Sequence, residues 1–208
     1  LILHRDIKVK LIDALVARAE KIKIGDGLDE SVEMGALINQ AAREKVASYI
    51  TIGKNEGARL LTGGSIYEKG ACANGWFFQP TIFDHVTPTM RIAQEEIFGP
   101  VLSVIEVGSF EEALEVLNGT AYGLSSAIYT ADVGRAFRAM RHVEAGITYI
   151  NGPTIGAEVH LPFGGTKATG NGHREAGTAA LDVFSEWKSI YVDFSGRLQR
   201  AQIDTEEL

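Results

Sequence analysis

Ile7, Leu11, Leu15, Ala19 and Ile22 recur every three or four positions among charged neighbours, the spacing of one helical face, and predict a helix over residues 6–23. Asp6 is suited to accept from the first free backbone N–H groups, and Gly25 lies past the far end. Beyond a polar loop, Ala42, Val46, Tyr49 and Ile50 form a second apolar stripe and predict a helix over about 39–56, ended by Gly57. The periodicity then shortens. Residues 58–62 and 77–83 have the β-branched and aromatic content of strands, with a Gly/Ser/Asn-rich stretch between them. Residues 101–107 are almost wholly apolar, as in a strand covered on both faces of a sheet.

Ser109 followed three positions later by Glu112 reads as a capping box, opening a helix through Leu117 that stops at Asn118-Gly119. A strand over 125–130, a helix capped by Asp132 and running to about Val143, and an apolar strand over 146–151 follow. A short helix is expected near 174–181. Strand alternating with helix implies right-handed crossovers, hence an α/β fold of three layers with a mostly parallel sheet and helices on both faces. Residues 187–194 are strand-like with apolar side chains on both sides, so a strand here wants partners on both edges. The expected organisation is a body over 1–183, an assembly strand over 184–194 and a polar tail over 195–208.

Composition narrows the function classes. A net charge of -7 with acids and bases interleaved argues against nucleic acid and membrane surfaces and leaves a small molecule as the default ligand. No apolar run approaches the ~20 residues of a membrane span, and the first residues lack the order of a signal peptide, so a cytoplasmic protein is expected. The single cysteine cannot form an internal disulfide. Opening on Leu1-Ile2-Leu3, as if inside a strand, the chain is expected to be a fragment, a processed chain or one half of a cleaved protein.

Two stretches make poor core and good chemistry. Gln94-Glu95-Glu96-Ile97-Phe98-Gly99-Pro100 sets adjacent acids before an aromatic and a Gly-Pro stop, and a carboxylate at a loop end is suited to accept from both hydroxyls of a ribose diol. Glu96 is assigned that role; the competing reading is a helix end with solvated acids and a core Phe98. Downstream, Leu161-Pro162-Phe163-Gly164-Gly165 places an aromatic on a stiff approach and then lets backbone pass closely, which suits a substrate tunnel with Phe163, Ile155 and Asn151 as its candidate lining. A core Phe163 above a tight turn is the competing reading. The first stretch precedes a strand, whereas the second follows one. Cys72 has no histidine or other base nearby in sequence and reads as a bystander thiol, and the histidines, Glu158 and His160 included, lack metal-ligand spacing.

These two blocks, continued by Lys167, Gly170, Gly172, Arg174 and Glu175, closely resemble the C-terminal half of an NAD(P)-dependent aldehyde dehydrogenase. The chain departs from the family pattern at Thr169, where a serine is usual, and at His173, inserted between Gly172 and Arg174. The resemblance implies that Glu96 holds the nicotinamide ribose and that Phe98 packs near the nicotinamide ring. It implies a mechanism in which a cysteine thiolate attacks the aldehyde, hydride passes to NAD or NADP, and a glutamate-activated water hydrolyses the thioester. The family's nucleophile would fall just before Leu1, so catalytic residues are expected in none of these 208 positions and the chain alone is expected to be inactive. The implied partners are a small aldehyde, an upstream half carrying the Rossmann domain and the nucleophile, and further subunits in a homo-dimer or tetramer. The wording of residues 184–200 is similar to semialdehyde-oxidising members. A non-catalytic assembly module that keeps the fold is the alternative.

Overall fold

The computed structural model describes residues 1–196. Strand β1, Ile2–His4, runs straight into helix α1, Arg5–Ala19. His4 rather than Asp6 is the cap: its Nδ1 accepts from the Asp6 N–H at 3.3 Å, so the helix opens earlier than expected, and it ends earlier too. Helix α2, Gln40–Asn55, is capped by Asn39, whose Oδ1 accepts from the Ala42 N–H at 2.8 Å, and Gly57 beyond it takes φ +95°.

Strand β2 is Arg59–Thr62, and β3 is Thr81–Asp84. The expected strand over 77–83 starts later because Phe78 is spent on a bridge to Ile66 and Pro80 has no N–H to donate. Helix α3, Arg91–Gln94, is one short turn that the sequence pattern did not announce. The apolar run over 101–107 is broken at Val104 into β4, Val101–Ser103, and β5, Ile105–Val107. Its ladder passes from β3 to β1 at that residue: Val104 N–H bonds to Phe83 and Ile105 N–H to Leu1.

In helix α4, Phe110–Asn118, Ser109 Oγ accepts from the Glu112 N–H at 3.1 Å, while the Glu112 carboxylate reaches back to the N–H of Gly108 rather than that of Ser109, at 2.6 Å. There follow β6, Tyr122–Gly123; β7, Ser125–Ile128; α5, Val133–His142, capped by Asp132; β8, Ile147–Ile150; and β9, Thr166–Lys167. The expected helix near 174–181 becomes a 3-10 turn, Gly177–Ala179, leading into α6, Ala180–Phe184, because Glu175 is held in a bridge to Phe163 and Ala176 takes φ +63°.

The fold is the expected α/β arrangement. β3 pairs in parallel with β4, β5 with β1, and β7 with β8, whereas β2 runs antiparallel to β3, and β6 to β9. Alternate side chains of the sheet enter two cores, one on each face. Ile82 and Val104 point to α1, packing with Leu3 and Ile12; Phe83 and Ile105 point the other way, to Val46, Tyr49 and Ile50 of α2 and Val116 of α4. Burying a side chain the size of Phe83 or Val104 stabilises the fold by roughly 1.5–3 kcal/mol, which is why this alternation sets the layers. An ion pair ties α1 down, Lys8 Nζ lying 2.8 Å from Asp84 Oδ1 and 3.0 Å from Glu106 Oε2.

Among the described residues, β1 has a ladder only to β5, and β7 only to β8. Both strands line a cleft of about 950 Å³, roofed by Leu11 and Leu15 of α1 and by Phe110 and Leu114 of α4. Residues 185–194 form neither helix nor strand and pair with no strand among the described residues, with Trp187, Tyr191 and Phe194 almost fully in solvent. The expected tail over 195–208 falls outside the described residues from position 197 on. No helix among the described residues is long and apolar enough to cross a membrane.

Candidate functional site

The loop after α3 alternates inward and outward. Glu95 turns back toward α2 and α3: it accepts from the Tyr49 hydroxyl at 2.6 Å and from Arg91 through Nε at 2.8 Å and Nη2 at 2.9 Å. The two-pronged Arg91 bond, then the Tyr49 bond, hold its carboxyl down at about 2, and the same contact pushes the Tyr49 hydroxyl up. Ile97 is buried in the α2 core. Glu96 and Phe98, between and beyond these anchors, are exposed, and the Glu96 carboxylate meets no hydrogen-bond or ion-pair partner among the described residues.

The backbone beneath them is fixed at two points. Lys45 Nζ donates to the main-chain carbonyl of Glu96 at 2.7 Å. Gly99 passes so close to α2 that a Cβ there would lie 2.3 Å from Val46 Cγ2, so only glycine fits. Phe98 sits between them at φ +57°, a left-handed conformation that costs an L-residue roughly 1–2 kcal/mol and persists only where its surroundings impose it. Lys45, Val46 and Tyr49 lie on one side of α2, so that helix is the rack on which the loop is stretched.

The second stretch is built differently. Asn151, at φ +56°, locks the end of β8 to the end of β7: its Oδ1 accepts from the Thr130 N–H at 2.8 Å and its Nδ2 donates to the Thr130 carbonyl at 3.0 Å. Its amide is therefore occupied within the fold. Ile155 is exposed, while Phe163 is half-buried and exchanges main-chain bonds with Glu175 at 2.5 and 2.7 Å. Gly164 runs against β8, since a Cβ on Gly146 would lie 1.8 Å from the Gly164 oxygen. Lys167, also at positive φ, inserts its ammonium among Asn118 O at 2.5 Å, Thr120 O at 3.2 Å and the Glu144 carboxylate at 2.9 Å.

The two stretches thus meet only indirectly. Gln94 Nε2 donates to Gly119 O at 3.2 Å, and Lys167 caps the carbonyls on either side of it, so both are tied to the turn that ends α4. None of Glu96, Phe98, Asn151, Ile155 or Phe163 lines the cleft between β1 and β7 or the smaller cavity lined by Met34, Leu37 and Phe78. Cys72 is buried in a 3-10 turn, with Ile24 O at 4.0 Å as its hydrogen-bond contact. Among the described residues no group of three or more His, Cys, Asp or Glu side chains is placed to hold a metal ion. The sequence reading took Tyr49 as core and Asn118-Gly119 as a helix stop, and it did not single out Lys45; of the supports, only Arg91–Glu95, at i and i+4, had a spacing that announces a pair.

A family model for aldehyde dehydrogenases matches residues 1–190. The chain belongs to the aldehyde dehydrogenase family. Its relatives include the betaine aldehyde dehydrogenases of Brucella anthropi and Brucella melitensis, each 44% identical over 190 residues, covering 91% of this chain and 39% of the relative. Betaine aldehyde dehydrogenase from Staphylococcus aureus in complex with NAD+ superposes with a TM-score of 0.85 at 36% identity, over 88% of this chain and 36% of that one. NAD-dependent aldehyde dehydrogenase from Sinorhizobium meliloti superposes with a TM-score of 0.89 at 37% identity, over 96% of this chain and 39% of its own. The chain therefore spans well under half the length of the aldehyde dehydrogenases it matches.

Proposed function

We propose that this chain is the C-terminal, catalytic-domain portion of a cytoplasmic enzyme that oxidises an aldehyde to a carboxylic acid with NAD or NADP. The observation that carries the reading is the loop around Glu96, where a partnerless carboxylate and an exposed aromatic ring project from a backbone locked by Lys45, Tyr49 and Arg91. Such a pair fits the nicotinamide end of the cofactor. Glu96 would accept from the two ribose hydroxyls, and Phe98 would offer its ring to the nicotinamide. NAD(P)+ supplies the hydride acceptor when bound. Because the loop is held before any ligand arrives, little ordering entropy opposes the contact. Ile155 and Phe163 would offer apolar surface to the aldehyde, with Asn151 holding the base of that loop through Thr130.

The thiolate that attacks the aldehyde would come from another polypeptide segment, since the one thiol here, Cys72, is buried in a 3-10 turn. The cleft between β1 and β7 supports such a complement: two strand edges and an apolar roof suit a further strand from the part of the enzyme that this chain does not span. Residues 184–194 would add to another subunit's sheet, giving a dimer or tetramer. Betaine aldehyde, for which the relatives are named, and a semialdehyde are the substrates to assay.

The test is NADH formation. The purified chain with NAD+ and either aldehyde is expected to be silent, and activity is expected only when a cysteine-bearing companion identified by intact mass is present. In that assembly Glu96→Gln should raise KM for NAD+ by roughly 10- to 100-fold, the value of a hydrogen bond to a charged group. NADH from the chain alone, or an unchanged KM in the variant, would overturn the reading.

A further inference from the structure

The end of α4 receives side chains from both candidate loops. Carbonyls in the last turn of a helix have no partner within it and form the negative end of its dipole. Here the carbonyl of the last helical residue and the two that follow it are satisfied from outside, Asn118 O and Thr120 O by Lys167, and Gly119 O by Gln94, whose Nε2 also donates to Pro88 O at 2.5 Å. The Lys167 side chain is only 24% exposed, and with Glu144 as its third acceptor all its donors are used. The turn itself is stiff. Asn118 Nδ2 donates to His142 O at 2.8 Å, its Oδ1 accepts from the Glu144 N–H at 2.9 Å, and Thr166 Oγ1 donates to Glu144 O at 2.9 Å.

Gln94 stands two residues before Glu96, and Lys167 four residues after Phe163, so any shift of this turn is passed to both loops. We infer that the turn at residues 118–120 is a positioning element that sets the Glu96 loop against the Phe163 loop, with Gln94 and Lys167 as the positioning residues. The inference rests on the cofactor and tunnel roles proposed above for those loops. Its physical content is a coupling: loosening one loop's grip on the turn frees the turn and hence the other loop. The strained backbone of Lys167, at φ +54°, fits this, because the conformation is held by the tertiary bonds of its own ammonium.

Hydrogen exchange followed by mass spectrometry on the 208-residue chain tests it. In Lys167→Met, amides at 94–99 should exchange about tenfold faster although the substitution lies in the other loop, that being the loss of a charge-assisted hydrogen bond of ~1.5 kcal/mol. Gln94→Ala, a change at a half-buried side chain outside both hydrophobic cores, should speed exchange at 161–169 in the same way, more weakly. Peptides covering 59–62 and 81–84 report global stability and should not change. In the assembled enzyme Lys167→Met should raise KM for NAD+ while Lys167→Arg largely restores it. Effects confined to the mutated loop would overturn the coupling and leave the assignment of Glu96 standing. Cross-loop effects alongside an unchanged KM in Glu96→Gln would support the coupling while removing the cofactor reading.

Discussion

Lys8→Met removes the ammonium that ties α1 to the sheet while keeping most of the aliphatic stem. In the native chain Nζ is 2.8 Å from Asp84 and 3.0 Å from Glu106, and the Lys8, Asp84 and Glu106 side chains are 10%, 9% and 50% exposed. The half-exposed contact to Glu106 contributes only ~0–1 kcal/mol, but stranding the Asp84 carboxylate in a dry site costs roughly 3–5 kcal/mol. Partial proton uptake by Asp84 softens the penalty, so a loss of ~3 kcal/mol at neutral pH is expected. In a urea titration, with a slope of ~2–3 kcal/mol/M, the midpoint should fall by about 1 M.

The pH dependence carries the mechanism. Burial alone would push the Asp84 carboxyl up, but the Lys8 hydrogen bond and the His85 backbone more than offset it, so the folded carboxyl titrates below its usual range. The native chain therefore holds this stabilisation above the unfolded value of ~3.9 and loses it as pH falls through the lower folded value. For Lys8 burial opposes the charge and the bonds to Asp84 and Glu106 outweigh it, so that contribution persists below ~10.4 and is lost only as pH rises past the raised folded value. In the variant only His85 still opposes the effect of burial on Asp84, so its carboxyl titrates higher than in the native chain and the neutral acid is tolerated. The gap between native and variant should thus close as pH is lowered toward 4 and below. A gap of under 1 kcal/mol at neutral pH, or one that stays constant down to acid, would refute the argument.

Two further outcomes concern the Glu96 loop. Tyr49→Phe removes one of the donors to Glu95, so the Glu95 carboxyl, at about 2, should move up toward the usual range while Arg91 still keeps it below; a carboxyl carbon titration by NMR reads this. The stability linked to Glu95, present above the unfolded value and lost as pH falls through the folded one, should then begin to fail at a higher pH. Phe98→Gly relieves the positive-φ strain and adds unfolded-chain entropy of comparable size, so the thermal midpoint should barely move, whereas KM for NAD+ in the assembled enzyme should rise. A large drop in that midpoint would instead place the ring, 76% exposed, in a structural role.

Much of the scaffold was legible along the chain because its signals are local. Ser109 and Asp132 cap the helices they were expected to cap, since a short acceptor side chain before an apolar stripe satisfies N–H groups only two or three residues away. The cap of α1 was misread for the same reason, as His4 does the work with a ring nitrogen that sequence pattern seldom credits. The break at Val104 could not be read, because a mostly apolar run looks the same whether its ladder has one partner or passes between two.

The candidate site divides along the same line. Composition and order singled out the stretches around Glu96 and Phe163, because acids and glycines clustered around aromatics are costly in a core and are recognisable without coordinates, while the place of Phe98 near the nicotinamide came from the family resemblance. What holds them became visible only in three dimensions: Tyr49 and Lys45 reach across 46 and 51 positions to Glu95 and Glu96, and Lys167 reaches 49 positions back to Asn118. Side-chain period decides which face a residue occupies, and that is written locally. Which distant group meets it there depends on how the layers pack, and only the folded chain settles that.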